Sequence, residues 1–448
     1  MDTPIFDFVQ NYIKSNTARL HMPGHKGVSF LGFEQYDITE IKGADELYAP
    51  TGIIRKSEEN ATLLFDTAKT IYSAGGSSQS INTMLYLAYQ KADKTERPYV
   101  LAGRNAHKSF IYALAKLDAD VEWLYPNRTQ SLCSCVFGAD TLREKLESLD
   151  RKPFAVYITS PDYLGKVANI PELSKICKEY NIPLLVDNAH GSYLKFCPQD
   201  MHPIALGADM CCDSAHKTLP VLTGGGYLHI AKSDKYGFAK NAINAMAIFG
   251  STSPSYLIMQ SLDLCNKYID EKIKEDIKKC AEKCEKISRI MIECGVWNTT
   301  SPQFYEPLKI TADFSEYEGN FAEHFRKYGI EPEYADEDYV VFMISPQNTD
   351  EDFEKIENAF RNLELTLKDD YNEDTISFVF GEKVMTIREA IFNECEEVDV
   401  ENATGRICAS PTVSCPPAIP IAVSGEKITE NHVQLFNKYN IEKILVVK

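Results

Sequence analysis

The chain has no run of apolar residues long enough to cross a membrane. Its first residues, Met1-Asp2-Thr3-Pro4-Ile5-Phe6-Asp7, lack the basic stretch and apolar core of a secretory leader, so the cytoplasm is the expected compartment. Basic residues are outnumbered, 47 Lys and Arg against 65 Asp and Glu, for a net charge of −18. The clustered positive surface that nucleic acid requires is therefore not expected. A small cationic substrate is compatible with such a surface. Paired C-x2-C spacings are also missing. The 13 cysteines are scattered, and the nearest spacings, Cys133-x-Cys135, Cys211-Cys212 and Cys280-x3-Cys284, make neither a structural zinc site nor a disulfide framework. They read as reduced thiols, with no metal expected. Internal repeats are absent as well. What remains is an ordinary globular composition, 44% apolar and 25% charged, over 448 residues, enough for more than one domain.

The stretch Asp213-Ser214-Ala215-His216-Lys217-Thr218-Leu219-Pro220, continuing through Gly224-Gly225-Gly226, organises this reading. The apolar runs on either side, 208–212 and 227–230, predict short buried strands, with Lys217 on the turn between them. A lysine on a turn is ordinarily just solvated. Here Ser214 and His216 stand beside it, and the glycines permit close backbone approach. A partly desolvated lysine amine in such company has a lowered pKa and can form a Schiff base with an aldehyde.

Upstream, residues 6–14 predict a helix, and His21-Met22-Pro23-Gly24-His25-Lys26-Gly27 a loop. Spacing alone favours an N-terminal arm there over a functional loop. A helix is expected over 57–70, then Gly75-Gly76-Ser77-Ser78-Gln79-Ser80 leading into a helical run. Glycines and hydroxyls at a helix start form an anion cradle, although no lysine closes it as in a Walker loop, and a serine N-cap is the simpler alternative. From Tyr99 strands and helices alternate, which implies βαβ units and a mostly parallel sheet. Strands are expected at 99–102, 121–125, 155–159 and 182–186, and helices at 109–117, 142–149 and 170–180. His107, Ser160, Tyr163, Asp187 and His190 all fall just past strand ends, where ligands collect in such sheets. Asp187 reads either as a loop-start cap or as a carboxylate that keeps a pyridine nitrogen protonated. With Lys217 for the aldehyde and residues 75–80 for the phosphate, it completes the three anchors that pyridoxal 5'-phosphate needs.

Residues 256–293 predict one extended or bent amphipathic helix. After Trp297 an α+β pattern follows, with strands at 308–314 and 339–345 and helices at 321–328 and 349–363. An acidic joint at 368–374 precedes the remaining stretch. The expected division is an N-terminal segment 1–50, a cofactor-binding large domain 51–293, a small α+β domain 294–370 and a C-terminal domain 371–448.

Taken together, His21-Met22-Pro23-Gly24-His25-Lys26-Gly27, Asp37-Ile38-Thr39-Glu40, Gly76-Ser77-Ser78, Arg104-Asn105-Ala106-His107-Lys108-Ser109, Asp187-Asn188-Ala189-His190-Gly191 and Ser214-Ala215-His216-Lys217 resemble the Orn/Lys/Arg decarboxylase family. The similarity is to its shorter bacterial arginine/lysine decarboxylase-like members, in the aspartate-aminotransferase fold (fold type I). It extends into Glu382-Lys383-Val384-Met385, Cys415-Pro416-Pro417-Ala418-Ile419-Pro420 and Gly425-Glu426. The resemblance implies that Lys217 carries the cofactor and Asp187 pairs with the pyridine nitrogen. It further implies that His107 stacks on the ring, that Ser77, Ser78, Ser214 and His216, with Gly76, hold the phosphate, and that His190 lies near the ring hydroxyl. Glu426, Tyr163 and His25 are the expected substrate contacts, Glu426 for a distal cation, and a homodimer with sites at the interface is expected. The chain departs from the family pattern at Asn188, where a glutamate is common, and at Cys415, Ala418, Ser424 and the run 220–226. The implied activity is decarboxylation of a basic L-amino acid, arginine or lysine before ornithine, in polyamine metabolism. An aminotransferase, needing a carboxylate-binding arginine such as Arg326, Arg361, Arg388 or Arg406, and a non-catalytic regulatory homologue are the alternatives.

Overall fold

The computed structural model describes residues 1–126, 131–298, 305–369, 381–411 and 417–448. Positions 370–374 of the expected joint, and the Cys415-Pro416 part of the C-terminal motif, lie outside the described residues. The chain folds as two compact units, each made of two stretches: residues 1–91 with 183–278, and residues 92–182 with 279–448. The segment 51–293, expected as one domain, therefore contributes to both.

In the first unit four strands lie in the order Lys69–Ser73, Gly226–Ile230, Met210–Asp213, Leu184–Asp187. Leu184–Asp187 runs parallel to Met210–Asp213, with Asp187 opposite Cys212. Gly226–Ile230 is antiparallel to both of its neighbours, so that Asp213 faces Tyr227 and Ser73 faces Gly226. All four strands are almost wholly buried, as strands covered on both faces are. Around them stand the helices Pro4–Lys14, Ile53–Phe65, Gly76–Tyr89 and Tyr256–Glu271. The first begins on a proline at the position where a missing N–H is harmless. Asp263, on the last of them, accepts from the backbone N–H groups of Ile5 and Phe6 and so fastens the N-terminal helix.

Two expected elements end differently. The helix expected over 57–70 spans Ile53–Phe65, stopped by Asp66 in the left-handed conformation (φ 53°), and Thr70 belongs to the strand that follows. Thr70, Ile71 and Tyr72 are β-branched or aromatic, which favours that outcome. The long helix expected over 256–293 is two, Tyr256–Glu271 and Ile273–Glu293, separated at Lys272, whose backbone (φ −138°) leaves the helical region. No glycine or proline announces the break.

The second unit carries three parallel strands in the order Val156–Thr159, Tyr99–Gly103, Asp120–Leu124. It also holds an antiparallel sheet ordered Tyr334–Ala335, Tyr339–Met343, Lys309–Asp313, Trp297–Asn298, and a hairpin-like pair Cys395–Asp399 with Lys443–Val447. Aromatic packing of Phe325, Phe342 and Phe360 fills the space between that sheet and its helices. The fold class is α/β, with a mostly parallel sheet. Among the described residues, no helix is long and apolar enough to cross a membrane.

Candidate active site

Lys217 lies in a single helical turn, Ala215–Thr218, between the strands Met210–Asp213 and Gly226–Ile230, as the flanking apolar runs predict. Its Nζ is 2.8 Å from Nε2 of His190, on the loop after the neighbouring parallel strand. Asp187 is the last residue of that strand. It is 2% exposed, and its Oδ1 accepts from the Ala189 N–H at 3.2 Å and the Cys212 thiol at 3.5 Å. Burial raises the Cys212 thiol well above its ordinary range, with the Asp187 charge adding to the effect, so the sulfur stays protonated and acts as a donor.

The phosphate-cradle candidate meets the lysine turn directly. Ser214 Oγ donates to Ser77 Oγ at 2.8 Å, in the first turn of the 14-residue helix Gly76–Tyr89. The helix start is drawn in by the glycine run. The Gly76 N–H donates to Gly224 O at 2.7 Å, and the His216 N–H donates to Gly225 O at 3.2 Å, with His216 Nδ1 2.9 Å from the same oxygen. At Gly226 a Cβ would stand 2.7 Å from Asp213 O and 3.4 Å from the Ser77 nitrogen. Only glycine allows that approach, which brings the free N–H groups and positive dipole end of the helix beside Ser214 and His216. Gln79 accepts from Ser73 Oγ and the Gly75 N–H, so the loop before the helix is held from behind.

Beneath this surface lies a buried cluster that reading the sequence missed. Asp213, fully buried, accepts from Asn188 Nδ2 at 2.7 Å, His202 Nε2 at 3.2 Å and His229 Nε2 at 3.2 Å. His229 Nδ1 in turn lies 2.9 Å from Thr70 Oγ1. The only sign in the sequence is the alternation Cys211-x-Asp213 and Tyr227-x-His229, which puts polar groups on one face of adjacent strands. His202, Cys211 and Asp213 bring ligating atoms within 4.8 Å of one another. The contacts are histidine N–H groups donating to a carboxylate, and burial raises the Cys211 thiol well above its usual range, where it is a poor ligand.

His25, also in the first unit, accepts from the Gly27 N–H through Nδ1 at 3.0 Å and contacts Asp37 through Nε2 at 3.3 Å. Three further candidates belong to the second unit. His107 is the N-cap of the helix Lys108–Leu117, its Nδ1 accepting from the Ser109 N–H at 3.1 Å. Tyr163 donates its hydroxyl to Glu333 at 2.6 Å and packs edge-on against Tyr334. Glu426 is 8% exposed, accepts from the Val423 N–H at 2.9 Å and lines a cavity of about 180 Å³ with Trp123, Tyr125 and Lys383. Burial raises its pKa, against the opposing pull of Arg104, whose buried guanidinium donates to Pro420 O and Ile421 O. The arginines raised for an aminotransferase are engaged elsewhere. Arg326 pairs with Glu323 and Glu331, Arg361 with Glu357, and Arg406 with Glu396, while Arg388 donates to Ala115 O.

The first-unit residues fit pyridoxal phosphate: an amine, a buried carboxylate, and a hydroxyl-lined helix start that glycine keeps open. The chain matches the family model for the Orn/Lys/Arg decarboxylase major domain over residues 3–361 and the C-terminal domain of the same family over 377–440. It is 28% identical to the uncharacterized protein YaaO of Bacillus subtilis over 98% of this chain and 94% of that one. It is 27% identical to an arginine decarboxylase of Bacillus anthracis over 100% and 94%. Among solved structures, the lysine decarboxylase LdcF of Francisella novicida superposes with a TM-score of 0.79 at 17% identity, over 100% of this chain and 81% of that one, a likeness of fold. With both of its parts matched, the chain belongs to the Orn/Lys/Arg decarboxylase family of pyridoxal-phosphate-dependent amino-acid decarboxylases.

Proposed function

We propose that this protein decarboxylates a basic L-amino acid, arginine first, then lysine and ornithine, giving agmatine or a diamine for polyamine metabolism. The observation that carries the reading is the contact of Lys217 Nζ with His190 Nε2 at 2.8 Å beside the buried carboxylate of Asp187. The relatives named arginine decarboxylase, matched over nearly their whole length, put arginine first.

Bound pyridoxal phosphate supplies the electron sink that lets the Cα–carboxylate bond break. Lys217 would hold its aldehyde, Asp187 its ring nitrogen, and Ser77, Ser78, Ser214 and His216, with the helix start at Gly76, its phosphate. Asp187 suits its part because a buried carboxylate keeps a neighbouring proton in place. His190, in contact with the Lys217 amine, would exchange a proton with it, and we assign the proton returned to the substrate Cα to Lys217, with His216 as the second candidate. Ring stacking by His107 and substrate contacts by Glu426, Tyr163 and His25 follow from the resemblance and are part of the proposal.

The active form we propose is a cytosolic homodimer. Leu20, Met22, Val28, Phe30, Leu31 and Phe33 are exposed in the N-terminal loop, Leu20 at 93% and Phe30 at 80%, an apolar patch of the kind a partner covers. The free thiols among the described residues suit a reducing compartment.

The test is CO2 release from arginine, lysine and ornithine, each supplied separately to protein loaded with pyridoxal phosphate. Release from arginine is expected. Release from lysine or ornithine alone would overturn the arginine assignment, and none from any of them, with cofactor visibly bound, would overturn decarboxylation of basic amino acids.

A further inference from the structure

The loop that carries His190 and the turn that carries Lys217 leave adjacent parallel strands whose pairing ends with Asp187 opposite Cys212. One residue beyond each strand pairing the two paths are joined by side chains, Asn188 donating to Asp213 at 2.7 Å. Backbone bonds close each loop from there. The Asn188 N–H donates to Cys212 O at 3.0 Å, the Gly191 N–H to Asn188 O at 2.8 Å, and the Lys217 N–H to Ser214 O at 3.0 Å. Among the described residues the Asn188 amide oxygen has no hydrogen-bond partner, and the bond to Asp213 is what fixes that side chain.

Three N–H donors converge on Asp213, from Asn188, His202 and His229. A carboxylate can accept all of them in this arrangement, whereas an amide at 213 would turn one donor toward another. The pairing also accounts for the departure at 188. A glutamate there, common in the family, would set two carboxylates against each other in a fully buried place, and asparagine supplies a donor instead.

We propose that Asp213 is a positioning residue for the catalytic lysine, holding the His190 loop and the Lys217 turn to one buried carboxylate through Asn188, His202 and His229. Asp213 touches no reacting atom in this role. It sets the distance between Lys217 and His190, and displacement of such a group by an ångström costs up to about a hundredfold in rate. The inference rests on the functional reading above for the word catalytic. The pinning itself does not.

The experiment is an exchange of partners: Asn188→Asp, Asp213→Asn, and the double variant, in which the amide at 213 donates to the carboxylate newly placed at 188 while its oxygen accepts from both histidines. In the full chain loaded with pyridoxal phosphate, each single variant is expected to lower kcat about tenfold or more with KM within roughly twofold, and the double variant to recover most of it. Hydrogen exchange on protein without cofactor is the independent arm. Amides of 188–191 and 214–218 should lose protection together in Asn188→Asp and regain it in the double variant. Unchanged exchange in Asn188→Asp, or a double variant no better than the singles, would overturn the proposal. If Asn188→Asp does not fold, Asn188→Ala removes the donor without adding charge and is read in the same way. Restored protection in protein that releases no CO2 would sink the functional reading while leaving the pinning supported.

Discussion

In the proposed function the chemistry turns on Lys217, and its substitution gives the sharpest outcome. Lys217→Ala should abolish both CO2 release and the visible absorbance of covalently held cofactor; retained turnover would reject the assignment. Asp187→Ala should still bind cofactor but lose most of its rate, and a near-normal rate would reject the role in holding the ring proton. A different buried carboxylate makes stability depend on pH. Glu58, on the helix Ile53–Phe65, is pushed up to about 8 by burial, against the opposing pull of the Tyr72 N–H that it accepts at 2.9 Å. Its ordinary value is 4.5, so between these values the folded protein keeps a proton that the unfolded chain has lost. Stability is therefore fullest below about pH 4.5 on this account and is lost as pH rises through about 8. Glu58→Gln should raise the melting temperature at pH 8 and above and flatten the stability profile between about pH 4.5 and 8; an unchanged profile would show that Glu58 ionises freely in the fold. At this scale Lys217, Asp187 and His190 are legible from their places just past apolar runs. Asp213 and His202 are not, because hydrogen-bonded partners 11 residues apart leave no periodic trace, and a histidine in a Pro-rich loop looks solvated until the fold buries it.

Elements place the site through glycine and helix ends. Gly226→Ala would force a Cβ to within 2.7 Å of Asp213 O, so the helix start at Gly76 and the lysine turn must move apart. We expect a stability loss of about 1–3 kcal/mol and weaker cofactor affinity, measured by thermal melting and cofactor titration; unchanged affinity would mean that the cradle does not depend on this approach. In the C-terminal part, Thr386 and Glu389 form a capping box at the helix Ile387–Phe392, and Thr386→Ala should cost about 1 kcal/mol in a denaturant titration with no change in KM. The capping pattern T-x-x-E is visible in the sequence, as are the strand runs, because both depend on neighbours along the chain. The stop at Asp66 and the break at Lys272 are not, since residues that depart from the helix there carry no glycine or proline, and the surrounding packing decides them.

For the whole molecule, the exposed Phe30 and Leu31 predict self-association. Light scattering should report a dimer, and Phe30→Ser with Leu31→Ser should shift it toward monomer and lower activity; a wild-type monomer that is fully active would remove the dimer from the proposal. By itself the sequence determined the α/β class, through alternating strand and helix runs, and it singled out Lys217, Asp187 and the Gly76–Ser78 cradle as the proposed cofactor anchors, each from its local context. The separated motifs carried the family as well. Tertiary structure alone decided that the first unit is assembled from residues 1–91 and 183–278, since strand pairing is not written in sequence order. It also decided which atoms converge: the approach of Gly226 to Asp213 O and the Ser77 nitrogen, the contact of Lys217 with His190, and the buried carboxylate of Asp213 with its donors. The physical reason is the same in each case. Residue type and periodicity report what a side chain can do, whereas hydrogen-bond partners are fixed only when strands distant in sequence lie in register.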